Sequence, residues 1–146
     1  GLPEVLVGTD GGDLLCFDAD GTRLWTVNLG DKVTRIVPVE LTGDGVPEIA
    51  CAAESANVFA VRANGSMIWR TALPDGVGDL ALLPRDAGPL LVATAGTAGI
   101  VILDAQGRTV AAGDAPGRAQ AVVTCEGRAV VTSDIGAVHA FDLPRE

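Results

Sequence analysis

Apolar residues along this chain fall in short runs, each broken by a polar or glycine-rich turn. Val5-Leu6-Val7-Gly8 enters a turn at Asp10-Gly11-Gly12-Asp13. Leu14-Leu15-Cys16-Phe17 follows, then Asp20-Gly21, then Arg23-Leu24-Trp25-Thr26-Val27. Runs this short, rich in β-branched residues and bounded by Gly, Asp and Asn, predict strands rather than helices. The Asp-Gly and Asn-Gly pairs supply the positive φ that two-residue hairpins require.

The pattern recurs. Phe17-Asp18-Ala19-Asp20-Gly21-Thr22-Arg23-Leu24-Trp25 returns as Val61-Arg62-Ala63-Asn64-Gly65-Ser66-Met67-Ile68-Trp69. It returns more weakly as Leu103-Asp104-Ala105-Gln106-Gly107-Arg108-Thr109-Val110-Ala111, and finally as Phe141-Asp142-Leu143. The repeats cover approximately 1–30, 31–75, 76–115 and 116–146, within one domain. A period of about 40 residues built from short strands marks a β-propeller blade, a four-stranded antiparallel sheet set radially about a channel. The fold class is therefore all-β.

From the second repeat on, an extra strand precedes the others: Thr34–Val39, then 78–83 and 119–123. It is expected to be innermost. With strands named A to D outward, the chain reads BCD, ABCD, ABCD, ABC, about 14 strands or 3.5 blades. Gly1-Leu2-Pro3-Glu4-Val5 matches Gly45-Val46-Pro47-Glu48-Ile49, so the chain opens inside the loop that follows a strand A. Incomplete end blades expose sheet edges and apolar faces, which proteins cover or pair. The expectation is a partial propeller, completed by a second copy or by the rest of a parent chain.

The quoted stretch Gly8–Trp25 resembles the repeat of pyrroloquinoline-quinone (PQQ)-like β-propellers, and the resemblance extends over nearly the whole chain. That family includes quinoprotein alcohol dehydrogenases and a non-enzymatic outer-membrane assembly lipoprotein. Within it, Trp25 and Trp69 match the tryptophan that docks one blade on the next; Ala111 takes that place in the third repeat. The resemblance slightly favours a bacterial extracytoplasmic setting. A second element, Glu40-Leu41-Thr42-Gly43-Asp44-Gly45-Val46-Pro47-Glu48-Ile49, resembles the acidic loop of FG-GAP propeller repeats, some of which bind Ca²⁺.

Oxygen ligands at positions one, three, five, seven and nine of a turn suit a hard cation. Here they would be Glu40, Thr42, Asp44, the Val46 carbonyl and Glu48. Against a Ca²⁺ site stand the Glu at position one and the Thr at position three. The competing reading is a tight turn fixed by Asp44-Gly45 and capped by Glu48. No other cofactor is expected.

Composition narrows the partners. Hydrophobic residues make up 48% of the chain and aromatic ones only 3%. The 19 acidic residues outnumber the 10 basic ones, for a net charge of −9. Such a chain is repelled by phosphate backbones and anionic membrane surfaces, and no apolar run approaches the roughly 18 residues of a spanning helix. The expected partner is protein, without nucleic acid or membrane insertion. Cys16, Cys51 and Cys125 are odd in number and widely spaced, which suits small buried hydrophobes better than disulfides or metal ligands.

Catalytic residues are not expected. His139 is the only histidine, in a strand, with no nucleophile motif beside it. Gly96-Thr97-Ala98-Gly99 lacks the setting and lysine of a phosphate loop. Asp10, Asp13, Glu54 and Asp134, in turns between strands B and C, would form an acidic rim. The favoured reading is a non-catalytic binding or scaffolding segment. A fragment of a PQQ- and Ca²⁺-dependent dehydrogenase is the enzymatic alternative. It would use a channel pocket, but only Arg35, Asp79 and Gln120 offer the main polar side chains there, and the family's adjacent cysteine pair does not occur. A ligand-binding sensor module of a larger receptor is a third reading.

Overall fold

The computed structural model describes residues 4–144. The first three residues of the Gly1–Val5 match and the last two of the fourth repeat lie outside the described residues. Fourteen strands form four antiparallel sheets of three, four, four and three strands, with no helix among the described residues. Blade 1 holds β1 (Val5–Gly8), β2 (Asp13–Phe17) and β3 (Arg23–Asn28). Blade 2 holds β4 (Val33–Val39), β5 (Glu48–Ala53), β6 (Asn57–Val61) and β7 (Met67–Ala72). Blade 3 holds β8 (Leu80–Leu83), β9 (Leu90–Thr94), β10 (Ile100–Leu103) and β11 (Thr109–Gly113). Blade 4 holds β12 (Ala119–Cys125), β13 (Arg128–Ser133) and β14 (Val138–Asp142). Strands pair in chain order within every sheet, so each blade is a meander.

The middle strands of blades 2 and 3 are apolar on both faces, and every one of β5, β9 and β10's residues is buried. A strand buried on both sides needs a neighbouring sheet on each face. Three cores supply it. Leu14, Cys51, Phe59 and Val61 belong to the core between blades 1 and 2, joined by Leu6, Trp25 and Ile36. Ala50, Val58, Leu91, Val101 and Leu103 lie between blades 2 and 3. Val92, Ile100, Ile102, Ala129 and Val131 lie between blades 3 and 4. No buried apolar cluster bridges blades 4 and 1 among the described residues. The blades thus form an arc with two ends.

The turns between strands C and D differ from the two-residue hairpins expected. In the first, Gly21 N–H donates to the Asp18 carbonyl and Asp18 N–H to the Thr22 carbonyl. Only the glycine has positive φ, at 81°. The same bonds recur at Arg62–Ser66 and Asp104–Arg108. This is a longer loop, a turn closed by a left-handed glycine, and each carries a register shift in the strands it joins. An Asp-Gly pair allows either geometry. In two of the three the leading Asp adds bonds: Asp18 Oδ1 accepts from the amides of Asp20 and Thr22, and Asp104 Oδ1 from those of Gln106 and Arg108; in the second, with Arg62 leading, Asn64 Oδ1 accepts from Ser66 N–H instead.

Candidate functional site

The acidic loop joins β4 to β5 on one rim of the arc. Oxygens of Glu40, Asp44 and Glu48 lie within 4.8 Å of one another. The loop's own donors engage them. Glu40 Oε1 accepts from the amides of Thr42 and Gly43, at 3.2 and 2.6 Å. Asp44 Oδ1 accepts from Val46 N–H at 2.8 Å. Glu48, 4% exposed, accepts from Leu41 N–H at 2.7 Å and the Thr42 hydroxyl at 2.9 Å. A buried carboxylate with a donor on each oxygen is stable without an ion. Gly43 and Gly45 take positive φ to turn the loop.

The two tryptophans sit at blade junctions. The Trp25 indole N–H donates to the Ala63 carbonyl of blade 2 at 2.8 Å, and Trp69 donates to the Ala105 carbonyl of blade 3 at 3.0 Å. Each ring lies on the turn glycine of the next blade. A Cβ on Gly65 would stand 2.8 Å from Trp25 Cδ2, and one on Gly107 would collide with Trp69 in the same way. Both tryptophans are half-buried. Ala111 ends the series, and the third junction is built the other way round. There the Phe141 ring of blade 4 lies against Gly113 of blade 3, where a Cβ would be 2.7 Å away, and Leu143 is buried beside it.

Polar side chains stitch the inner strands together. Asp79 Oδ2 accepts from Val122 N–H of blade 4, and Oδ1 lies 3.5 Å from Arg35 Nε of blade 2. The Thr34 hydroxyl donates to the Val77 carbonyl, and the Thr124 hydroxyl to the Leu82 carbonyl. The Gln120 carbonyl accepts from the Thr94 hydroxyl. Arg35 and Asp79 thus act across blades, a role their isolated positions in the sequence did not reveal.

On the opposite rim, the acidic residues have local partners. Asp10 lies 3.8 Å from Lys32 Nζ. Asp13, which falls in β2 rather than the turn, accepts from the Asn28 amide. Asp134 accepts from Arg118 N–H, whereas Glu54 is exposed. Sequence reasoning missed Asp75, in the connector between blades 2 and 3. Its carboxylate accepts from Thr97 N–H and Gly76 N–H and from the Thr97 hydroxyl, and lies 3.1 Å from Arg118. The Thr97 amide, then the Gly76 amide, hold its pKa far below the usual carboxylate range. The Pro74-Asp75-Gly76 turn was its only sequence signal.

Cys16 and Cys51 are buried, and burial pushes the Cys51 thiol up to about 12. Cys125 is exposed, contrary to the expectation of three buried cysteines. It closes β12 on the face of blade 4 that no blade covers. His139 is exposed and meets Phe141 edge to face, ring centroids 4.6 Å apart. Inter-blade grooves line the acidic-loop rim. The one between blades 2 and 3 encloses about 550 Å³ among Leu41, Thr42, Arg85, Pro89 and Ala105.

Six of the nine exposed large apolar side chains among the described residues fall on the end blades. On blade 1, Val5 and Val7 are 55% and 40% exposed, with Leu15 and Phe17 half-buried behind them. On blade 4, Val123, Ile135 and Val138 are 62%, 66% and 70% exposed.

No protein-family model matches the sequence, and neither does any curated protein. Solved structures do match in fold. The computationally designed Ika4 protein superposes with a TM-score of 0.80 at 15% identity, over 99% of this chain and 88% of its own. BBS1N, in its complex with ARL6DN, gives 0.80 at 14% identity, over 97% of this chain and 47% of its own. Saccharomyces cerevisiae Sqt1 gives 0.83 at 10% identity, over 95% of this chain and 42% of its own. The chain therefore has the β-propeller fold. It spans most of the first of these chains and less than half of the other two.

Proposed function

We propose that this chain is a non-catalytic binding or scaffolding segment of a β-propeller, whose end faces receive further blades and whose ring engages a protein partner. The observation that carries this reading is the uncovered apolar face on each end blade. Exposed apolar patches rimmed by polar residues mark interaction sites. The polar side chains lining the junctions are committed to holding blades together, as with Asp79 and Thr34. That BBS1N is seen in complex with ARL6DN fits a partner-binding use of such blades. The acidic loop is read as a braced turn, supported by the donors on Glu40, Asp44 and Glu48.

The resemblance to quinoprotein repeats supplies the test. Mixing the chain with PQQ and Ca²⁺ is expected to produce no new absorption band and no alcohol-dependent dye reduction. Ca²⁺ alone is expected to leave Tm unchanged. Dye reduction would replace the scaffold reading with the dehydrogenase one, and a Ca²⁺-dependent rise in Tm would assign the acidic loop to the ion.

A further inference from the structure

We propose that Asn64 is a site of spontaneous covalent modification. In the turn between β6 and β7 it closes a cyclic imide with Gly65, which water opens to aspartate and isoaspartate. The modified turn is the one on which blade 1 docks.

The chain has three asparagines, and only Asn64 is followed by a residue without a side chain. Asn28 ends β3 and Asn57 begins β6. The residues after them, Leu29 and Val58, are bulky and buried, which blocks approach of their amide nitrogens to the side-chain carbonyl. Asn64 stands in a turn, exposed to solvent, and glycine permits the close backbone approach that the ring needs.

The three bulged turns share one backbone pattern and differ at the residue before the glycine: Asp20, Asn64 and Gln106. The carboxylate of Asp20 is a poor electrophile, and Gln106 would close a larger ring. The turns differ also in what meets the amide after the glycine. In the first and third, Thr22 N–H and Arg108 N–H donate to the leading Asp18 and Asp104. Arg62 leads the second, and its side chain has no acceptor. Asn64 Oδ1 takes that place, accepting from Ser66 N–H at 3.0 Å and from the Ser66 hydroxyl at 2.7 Å. Two donors on this oxygen polarise the carbonyl, and they are placed to hold the charge it gains when Cγ is attacked.

The reaction needs only water. Hydroxide takes the Gly65 amide proton, and the nitrogen bonds to Asn64 Cγ. The Gly65 bond to the Arg62 carbonyl opens at this step. The oxyanion on Oδ1 collapses, the Cγ–Nδ2 bond breaks, and ammonia leaves with a proton from water. Water then adds to either imide carbonyl. Cleavage at Cγ gives aspartate; cleavage at the main-chain carbon gives isoaspartate, whose backbone runs through Cβ and Cγ.

The product bears on the junction between blades 1 and 2. The Trp25 ring lies on Gly65 and its indole N–H donates to the Ala63 carbonyl, so Asn64 sits between the two contacts. Isoaspartate lengthens the backbone there by one carbon and displaces one contact relative to the other. Conversion at Asn64 thereby loosens blade 1 on blade 2.

The test is to hold the folded wild-type chain at pH 8 and map its peptides by mass spectrometry over time. A gain of one mass unit at Asn64 is expected, with an isoaspartyl product that isoaspartyl methyltransferase labels. Asn28, Asn57 and the Asn64→Gln chain are expected to stay unreacted over the same period. Arg62→Asn offers Ser66 N–H the acceptor that Asp18 and Asp104 supply in the other turns. It is expected to react several-fold more slowly than Arg62→Ala, which removes the same charge without adding an acceptor. The converted wild-type fraction, separated from unreacted chain by ion exchange, is expected to melt below Asn64→Asp, which carries the same charge on an ordinary backbone. No mass gain in the folded chain, an equal gain at Asn28 or Asn57, equal rates in the two Arg62 variants, or a converted fraction that melts with Asn64→Asp would each overturn the proposal.

Discussion

Trp69 and Gly107 form one device although neither residue suggests the other. The indole covers the turn glycine of the next blade and donates to the carbonyl two residues before it. Removing a large aromatic from a packed junction costs about 3–5 kcal/mol when it is fully buried. Trp69 is half-buried, so Trp69→Ala is expected to cost about 2–3 kcal/mol by denaturant unfolding, in proportion to the area it covers. Gly107→Ala is expected to cost about 2–4 kcal/mol, from a positive φ of 77° and from the ring in its path. The two losses should be less than additive, because either change opens the same contact. The recurrence of Trp25 and Trp69 was readable in the sequence. The second duty of Gly65 and Gly107 was not, since an Asn-Gly or Gln-Gly turn already accounts for a glycine. Cys125 was misread for a related reason. Its place in a strand is plain, but its burial depends on whether a further blade covers that face.

At the scale of elements, alternation and turn residues placed the strands and divided them three, four, four and three. Boundaries moved by a residue or two where the inner strands meet neighbouring blades: β4 begins at Val33, β8 at Leu80, and β12 runs on to Cys125. The turn geometry was not legible, because Asp-Gly and Asn-Gly serve both short and bulged hairpins, and the same bulged turn forms whether Asp18, Arg62 or Asp104 leads it. The connectors between blades were the least legible part. Asp75 gathers Thr97 of blade 3 and Arg118 of the next connector, groups far apart in the chain. Since hydrogen bonds hold its folded pKa below the ordinary value near 3.8, its contribution is complete above about pH 4 and is lost as pH falls through the folded value. Asp75→Asn is therefore expected to lower Tm at pH 7, and the gap from wild type is expected to narrow steadily as pH drops below 4. Melting curves across that range check it; a gap constant down to pH 2 would mean that the charge at Asp75 contributes nothing.

For the molecule as a whole, the period specifies blades, and the blades specify an arc with a leading and a trailing end. The strand count at each end was legible from where the repeat is cut. The chemistry of the end faces was not, because alternation in Val5–Gly8 reads the same whether one face or both are covered. Exposure separates the cases: internal blades have both faces buried, and end blades one. Three inter-blade cores and no fourth make the chain an open arc, with blades 1 and 4 sharing no core among the described residues. Small-angle X-ray scattering of the wild-type chain tests it most directly. A distance distribution extended along an open curve of four blades, after extrapolation to zero concentration, is predicted. A compact particle of one-chain mass, its four blades closed on themselves, would contradict it.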